Sequence, residues 1–160
     1  SLSLLKQKNI NFFCLLAGSN VDKNNFQLVH QLKKLNLVNH VKLLGRQKNI
    51  SKIMNTLDLY VQSSKYGEGF PNVVAEAMSH EIPCIVTDVG DAKFIVGQTG
   101  WIVPPKNSLK LALSLRNAFL KINSKEWKNR CKQSRARIKK NFNINNMILS
   151  YTKLWLNVYT

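Results

Sequence analysis

Two carboxylates eight positions apart frame the run Glu68-Gly69-Phe70-Pro71-Asn72-Val73-Val74-Ala75-Glu76-Ala77-Met78. Gly69 lets the backbone turn tightly and lets a ligand come close. Pro71 suits the first position of a helix, where its missing N–H costs nothing. Asn72 to His80 then reads as a short helix, with Val73, Val74, Ala77 and Met78 available to pack inward. A helix opening there aims its free N–H groups back at the loop that carries Glu68, which makes an anion site. Glu76 lies about one turn further in. Anion-binding amides beside two hydroxyl-accepting carboxylates suit a ligand with a diphosphate and several hydroxyls, such as a nucleotide-sugar. On spacing alone such a pair is more often two solvated surface charges.

The flanking segments decide where such a motif would sit. Asp58–Gln62 reads as a strand followed by the small polar residues Ser63 and Ser64, and Cys84–Thr87 as a buried apolar strand. The motif then lies between the carboxyl end of one strand and the next helix, where open α/β sheets bind ligands. Upstream, Ile10–Gly18 reads as a strand ending in Ala17-Gly18-Ser19-Asn20. Asn24–Leu35 reads as a helix with Phe26, Leu28, Val29, Leu32 and Leu35 inward, Val41–Leu44 as a strand ended by Gly45, and Ser51–Leu57 as a helix capped by Asn49 or Ser51. Lys93–Val96 reads as one helical turn and Trp101–Val103 as a last strand stopped by Pro104 and Pro105. Strands alternating with helices predict a parallel sheet flanked by helices. The tail predicts three helices: Ser108–Ile122, a basic one capped by Ser124 and running to about Lys140, and Ile144–Tyr159 with Met147, Ile148, Tyr151, Leu154, Trp155 and Val158 on one face.

At 160 residues the chain can bury a core as one domain. Its apolar content of 44% and mean hydropathy of −0.19 suit a globular protein, and no run is long enough to span a bilayer. Cys14, Cys84 and Cys131, odd in number and in part within strand runs, predict reduced thiols and a cytoplasmic setting. No Cys, His or acidic cluster suits a metal. A net charge of +16 and a pI near 10.1 call for an anionic ligand or surface, or reflect a lysine-rich composition. The cations of the basic helix read as spread around it rather than set on one stripe. An anionic membrane, met peripherally at its cytoplasmic face, is one expected partner. Ser1 is followed mid-pattern by Leu2, Leu4 and Leu5, as at the end of a helix whose preceding strand is missing, so a fragment is expected.

The order of these segments resembles the C-terminal, donor-binding domain of retaining glycosyltransferases of the GT-B fold, family 4. Leu43-Leu44-Gly45-Arg46, Asp58–Ser64, the Glu68–Met78 stretch, and Ile82–Gly90 followed by Thr99–Pro105 carry the likeness, which covers nearly the whole chain. It implies a Rossmann-like parallel sheet, the C-terminal half of a GT-B enzyme, with a helical tail. Residues 1–105 would form the nucleotide-sugar-binding core and 106–160 the terminal helices of the same domain. It implies that Glu68, the catalytic candidate, lies near the transferred sugar. Gly69, Phe70, Pro71, Asn72, Val73 and Val74 would supply the loop and helix start that meet sugar and phosphates. Glu76 would accept from the ribose hydroxyls, Arg46 would border the nucleobase, and Gly18 would pass close to the ligand.

The resemblance also implies gaps. The family's phosphate-clamping Arg and Lys and its N-terminal acceptor domain fall upstream of Ser1. Glu81 stands where a glycine often ends the motif helix, and Asp91-Ala92 where a Pro-Glu pair often follows. The implied reaction transfers sugar from a nucleotide-diphosphate sugar to a polysaccharide, lipopolysaccharide or lipid-linked glycan. Anomeric configuration is retained, no cofactor is needed, and the fragment alone is expected to be inactive. Rival readings are a GT-B-like nucleotide-sugar epimerase, a phosphorylase lacking an identifiable cofactor lysine, and a basic nucleic-acid module. For the last, only Trp127 interleaves the charge of Lys125–Lys140, so no nucleic-acid partner is expected.

Overall fold

The structure, a computed structural model, describes residues 1–158, with Val158 described by its backbone alone. Tyr159, the expected end of the last helix, and the side chain of Val158 lie outside the described residues. The chain divides into two compact units, Ser1–Thr56 with Asn107–Phe119, and Leu57–Lys106 with Leu120 onward.

The first unit contains α1 (Leu2–Gln7), β1 (Cys14–Ala17), α2 (Phe26–Lys34), β2 (Val41–Gly45), α3 (Ile50–Met54) and, returning from later in the chain, α6 (Ser108–Phe119). β1 and β2 pair in parallel from Cys14 opposite Val41. Opposite the residues before Cys14 the chain is a 3-10 turn, Val38–His40, with His40 against Phe12, so the ladder does not extend and the strand is shorter than its apolar run. Leu32, Leu37 and Val41 form the buried centre, with Phe12, Leu16 and Leu43 packed on it. Asn25 and Asn49 cap α2 and α3, their side chains accepting from the amides of Leu28 and Lys52. The cap at Asn25 makes Phe26 the first helical residue and leaves it exposed rather than inward. Leu35, also expected inward, is exposed past the helix end.

The second unit contains β3 (Tyr60–Gln62), α4 (Asn72–Ser79), β4 (Cys84–Thr87), α5 (Ala92–Val96), β5 (Trp101–Val103), α7 (Lys125–Asn141) and α8 (Ile144–Val158). Its three strands are parallel in the order β3-β4-β5, so the expected parallel sheet is realised as two hydrogen-bonded sheets, one per unit. β3 starts at Tyr60, whose amide donates to Pro83. Pro83 has no N–H to continue the ladder, which keeps Asp58 and Leu59 out of the strand. Val74, Ala77, Met78, Ile85, Val86, Ile95 and Val96 are fully buried. Each large apolar side chain of that set contributes about 1.5–3 kcal/mol by burial.

α7 docks on the unit through Trp127, Ser134 and Ile138, which are buried. Its cations divide by type. Arg130 stacks over Trp101 at 4.6 Å, Arg135 pairs with Glu81 at 3.1 Å, and Arg137 donates to the carbonyls of Ile95 (2.8 Å) and Phe94 (2.6 Å) at the end of α5. Lys125, Lys128, Lys132 and Lys139 are exposed, and their spacing of three, four and seven sets them on one face. Arg130, Arg137 and Lys140 fall off that face, so the cations as a whole remain spread around the helix. α8 carries Met147, Ile148, Tyr151, Leu154 and Trp155 exposed. Among the described residues no helix is long and apolar enough to cross a membrane.

Candidate functional site

The motif occupies the loop after β3 and the start of α4. Pro71 is the N-cap rather than the first helical residue, because its ψ of 91° is extended. It is buried and, as proline, has no N–H to donate at the helix start. The amides of Asn72 and Val73 therefore open the helix, and neither donates to an acceptor among the described residues. The amide of Val74 turns back to the Pro71 carbonyl at 3.0 Å. Val74, Ala77 and Met78 face the core, whereas Asn72, Val73 and Glu76 are exposed at helical spacing. Val73 is thus on the open face, contrary to the inward packing expected for it.

The glycines of the loop differ in purpose. Gly67, at φ +79°, makes the left-handed turn assigned to Gly69 by sequence. Gly69 adopts no such conformation, and a Cβ built on it would meet nothing within 4 Å. Its contribution is open space beside the helix start. Phe70 is half-exposed and packs on Phe142 at 5.7 Å between ring centroids.

Glu68 is tethered on one side. Its Oε1 accepts from Gln62 Nε2 at 2.7 Å and from the Ser64 hydroxyl. Gln62 Nε2 also meets Ser64 Oγ at 2.9 Å, and the Tyr60 hydroxyl donates to Gln62 Oε1 at 2.7 Å. Glu68 Oε2 accepts nothing among the described residues. Burial pushes the Tyr60 phenol well above its ordinary range, and the nearby charges of Cys84, Glu68 and Glu76 add to the shift. The hydroxyl stays a donor in the field of both motif carboxylates.

The loop backbone is clamped from β4 and the turn after it. Thr87 Oγ1 donates to the carbonyl of Ser64 at 2.8 Å, and the Asp91 amide to that of Gly69 at 2.9 Å. Gly90, at φ +54°, lies so close that an added Cβ would sit 2.3 Å from the Glu68 carbonyl oxygen and 2.6 Å from that of Gly69. Tyr60, Gln62, Thr87, Gly90 and Asp91 were given no role by sequence. The alternation of Tyr60 and Gln62 along β3, two residues apart on one side of a strand, was the signal available for the first two. Nothing local in sequence announces a clamp between turns twenty residues apart.

Gly18 and Arg46 belong to the first unit. Gly18 follows β1 at φ +152° and donates to the Gly45 carbonyl at 2.9 Å, and Gly45 donates to Val21 at 2.7 Å. Arg46 follows directly and is exposed. Glu81 adopts φ +63° after α4, and the amides of Glu81 and Ile82 return to Met78 and Ala77. The helix so ends in a Schellman motif without glycine. The three cysteines are free thiols, and burial pushes that of Cys84 up. Among the described residues no three His, Cys, Asp or Glu side chains are grouped to hold a metal ion.

The profile of the family described as Glycosyl transferases group 1 matches residues 1–152. A putative glycosyltransferase of Bacillus subtilis, EpsF, is 34% identical over 84 residues, which is 52% of this chain and 21% of that relative. A glycosyltransferase from Rickettsia africae ESF-5 superposes with a TM-score of 0.86 at 22% identity, over 99% of this chain and 43% of that one. Anabaena HepE, solved with UDP-glucose, superposes with a TM-score of 0.74 at 21% identity, over 93% of this chain and 50% of that one. The two structures share the fold, and the chain spans half or less of each of these proteins.

Proposed function

The chain belongs to the glycosyl transferases group 1 family, and from that premise we propose that it is the donor-binding part of a retaining, family 4 type glycosyltransferase of hexosyl class. The fold is of the GT-B type shared with the structures just described. The observation that carries the reading is the start of α4, where the amides of Asn72 and Val73 have no acceptor among the described residues, in a motif that also leaves open space at Gly69 and one oxygen of Glu68 without a donor. HepE was solved with UDP-glucose, and a nucleotide-diphosphate sugar is the donor proposed for this chain.

The chemistry follows from placement. Cleavage of the bond between sugar and diphosphate builds positive charge on the sugar and negative charge on the departing phosphate. Amides already aimed at that phosphate stabilise the charge where it develops, and no reorganisation is required. Glu68 accepts a sugar hydroxyl and opposes the growing positive charge. Glu76 accepts from ribose hydroxyls on the exposed face of α4. Gly18 and Arg46 are donor contacts by the family resemblance. The proposed acceptor is a polysaccharide, lipopolysaccharide or lipid-linked glycan. The 160 residues alone are expected to bind donor and to transfer little or no sugar, and the surface lysines to attract an anionic membrane weakly.

Titration of UDP, GDP and ADP followed by amide NMR tests the site. Shifts concentrated between residues 66 and 78 are expected with one of the three. Glu76→Ala should weaken that binding by about 1.5–3 kcal/mol. Millimolar ligand without a shift in that stretch would remove the assignment.

A further inference from the structure

The carboxylate of Glu68 is asymmetric in its surroundings. Both protein donors, Gln62 Nε2 and the Ser64 hydroxyl, converge on Oε1, and none reaches Oε2. Gln62 is itself held at its other end by the Tyr60 hydroxyl. A side-chain amide offers a donor on one side and an acceptor on the other. With its N–H toward an acceptor-only carboxylate, its carbonyl must point to Tyr60, and there it finds an O–H. The three groups form one polarised chain in which each donor strengthens the next. Thr87 fixes the backbone under it, its hydroxyl meeting the carbonyls of Gln62 at 3.3 Å and Ser64 at 2.8 Å. Tyr60, Gln62, Ser64 and Glu68 are all half-buried, so loss of one partner is not readily made good by water.

We infer that Gln62, seated by Tyr60, is a positioning residue for the donor sugar: it occupies Oε1 of Glu68 so that Oε2 is the atom presented to a sugar hydroxyl. This rests on the donor-site reading above. Neither Gln62 nor Tyr60 touches the ligand. Their effect is confined to the sugar half of the donor, because the phosphates are met by the α4 amides and the ribose by Glu76.

The matched pairs UDP and UDP-glucose, GDP and GDP-mannose, and ADP and ADP-glucose provide the test, titrated against the 160-residue chain and its Gln62→Met and Tyr60→Phe variants. Gln62→Met should weaken the sugar-nucleotide about tenfold and leave the free nucleotide within about twofold, with a smaller loss of the same kind in Tyr60→Phe. In a Glu68→Ala background, Gln62→Met should cost nothing more, since it acts through Glu68. The downfield shift of the Gln62 side-chain amide protons, which donate to Glu68 and Ser64, should decrease in Tyr60→Phe. Equal losses for nucleotide and sugar-nucleotide, an unchanged ratio, or losses at Gln62 and Glu68 that multiply would each overturn the inference. A wild type that binds the nucleotide but keeps its sugar ratio in the variants removes only this inference. A wild type that binds no member of any pair removes the donor-site reading and the inference with it.

Discussion

Replacing Gly90 with alanine should disable the site from a position that faces no ligand. Two costs combine. At φ +54° an alanine pays about 1–2 kcal/mol of left-handed strain. Its Cβ would also lie 2.3 Å from the Glu68 carbonyl oxygen, so that peptide must retreat by about 0.7 Å to restore even a 3.0 Å contact. The retreat strains the bond from the Asp91 amide to Gly69. Together these should cost about 2–4 kcal/mol. At about 2–4 °C per kcal/mol for a chain of this size, the melting temperature should fall by roughly 5–15 °C. The loop glycines are the controls. Gly67→Ala carries the strain alone, since its φ is +79° and its surroundings are open, and should cost about 1–2 kcal/mol. Gly69→Ala has neither penalty and should melt like the wild type, yet it fills the space beside the helix start and should lose nucleotide affinity. Thermal melts and the amide spectra of Glu68 and Gly69 read all three. If Gly69→Ala is as damaging to stability as Gly90→Ala, or Gly90→Ala leaves those amides unmoved, the clamp does not exist.

Three further outcomes follow from the same contacts. Glu81→Gly relieves about 1 kcal/mol of left-handed strain and gives up an exposed pair with Arg135 worth less than that, so urea unfolding should show equal or higher stability, and a loss beyond 1 kcal/mol would contradict the ending drawn for α4. Arg137→Ala should cost about 2–3 kcal/mol by freeing the carbonyls of Phe94 and Ile95, with Arg137→Lys recovering less than half because an ammonium cannot reproduce the fork, whereas Lys128→Gln should stay within about 0.5 kcal/mol. Tyr60, whose phenol is pushed up, contributes stability that is complete below the ordinary tyrosine range near pH 10 and is lost as pH rises beyond it. Absorbance at alkaline pH should therefore show one tyrosine ionising only as the chain unfolds, and Tyr60→Phe should abolish that step.

Local signals were legible wherever one residue decides the structure. Ser124 announces its helix by capping chemistry and is observed as its cap, and of the two candidates Asn49 and Ser51 the structure takes Asn49. Cys84–Thr87 and Trp101–Val103 fall where their apolar runs and the prolines beside them place them. Extents set by a partner were not legible. β1 lacks Ile10 to Phe13 because its partner is a 3-10 turn before Val41, and β3 waits for Tyr60 because Pro83 ends the ladder. The motif carboxylates could be found by type and spacing. The groups that aim one of them could not, since Gln62 acts across a strand end and Gly90 by the absence of a side chain. The turn glycine is Gly67, one residue outside the motif, because the chain reverses before Glu68 rather than after it.

The division of cations on α7 gives the two basic residue types different histories. Arg130 and Arg137 are tied to a ring and to a pair of carbonyls, and exchange at those sites is penalised by folding itself, whereas Arg135 makes only an exposed pair with Glu81. The lysines at 125, 128, 132 and 139 stand in solvent, and an exchange there leaves the core untouched. Mutation pressure on base composition can therefore raise or lower the lysine count at little cost, while it leaves Arg130 and Arg137 in place. The isoelectric point of such a protein is then a drifting quantity, and in a set of relatives it should vary far more than the arginine pattern of this helix. Net charge would record the ancestry of the genome, and Arg130 and Arg137 the ancestry of the fold.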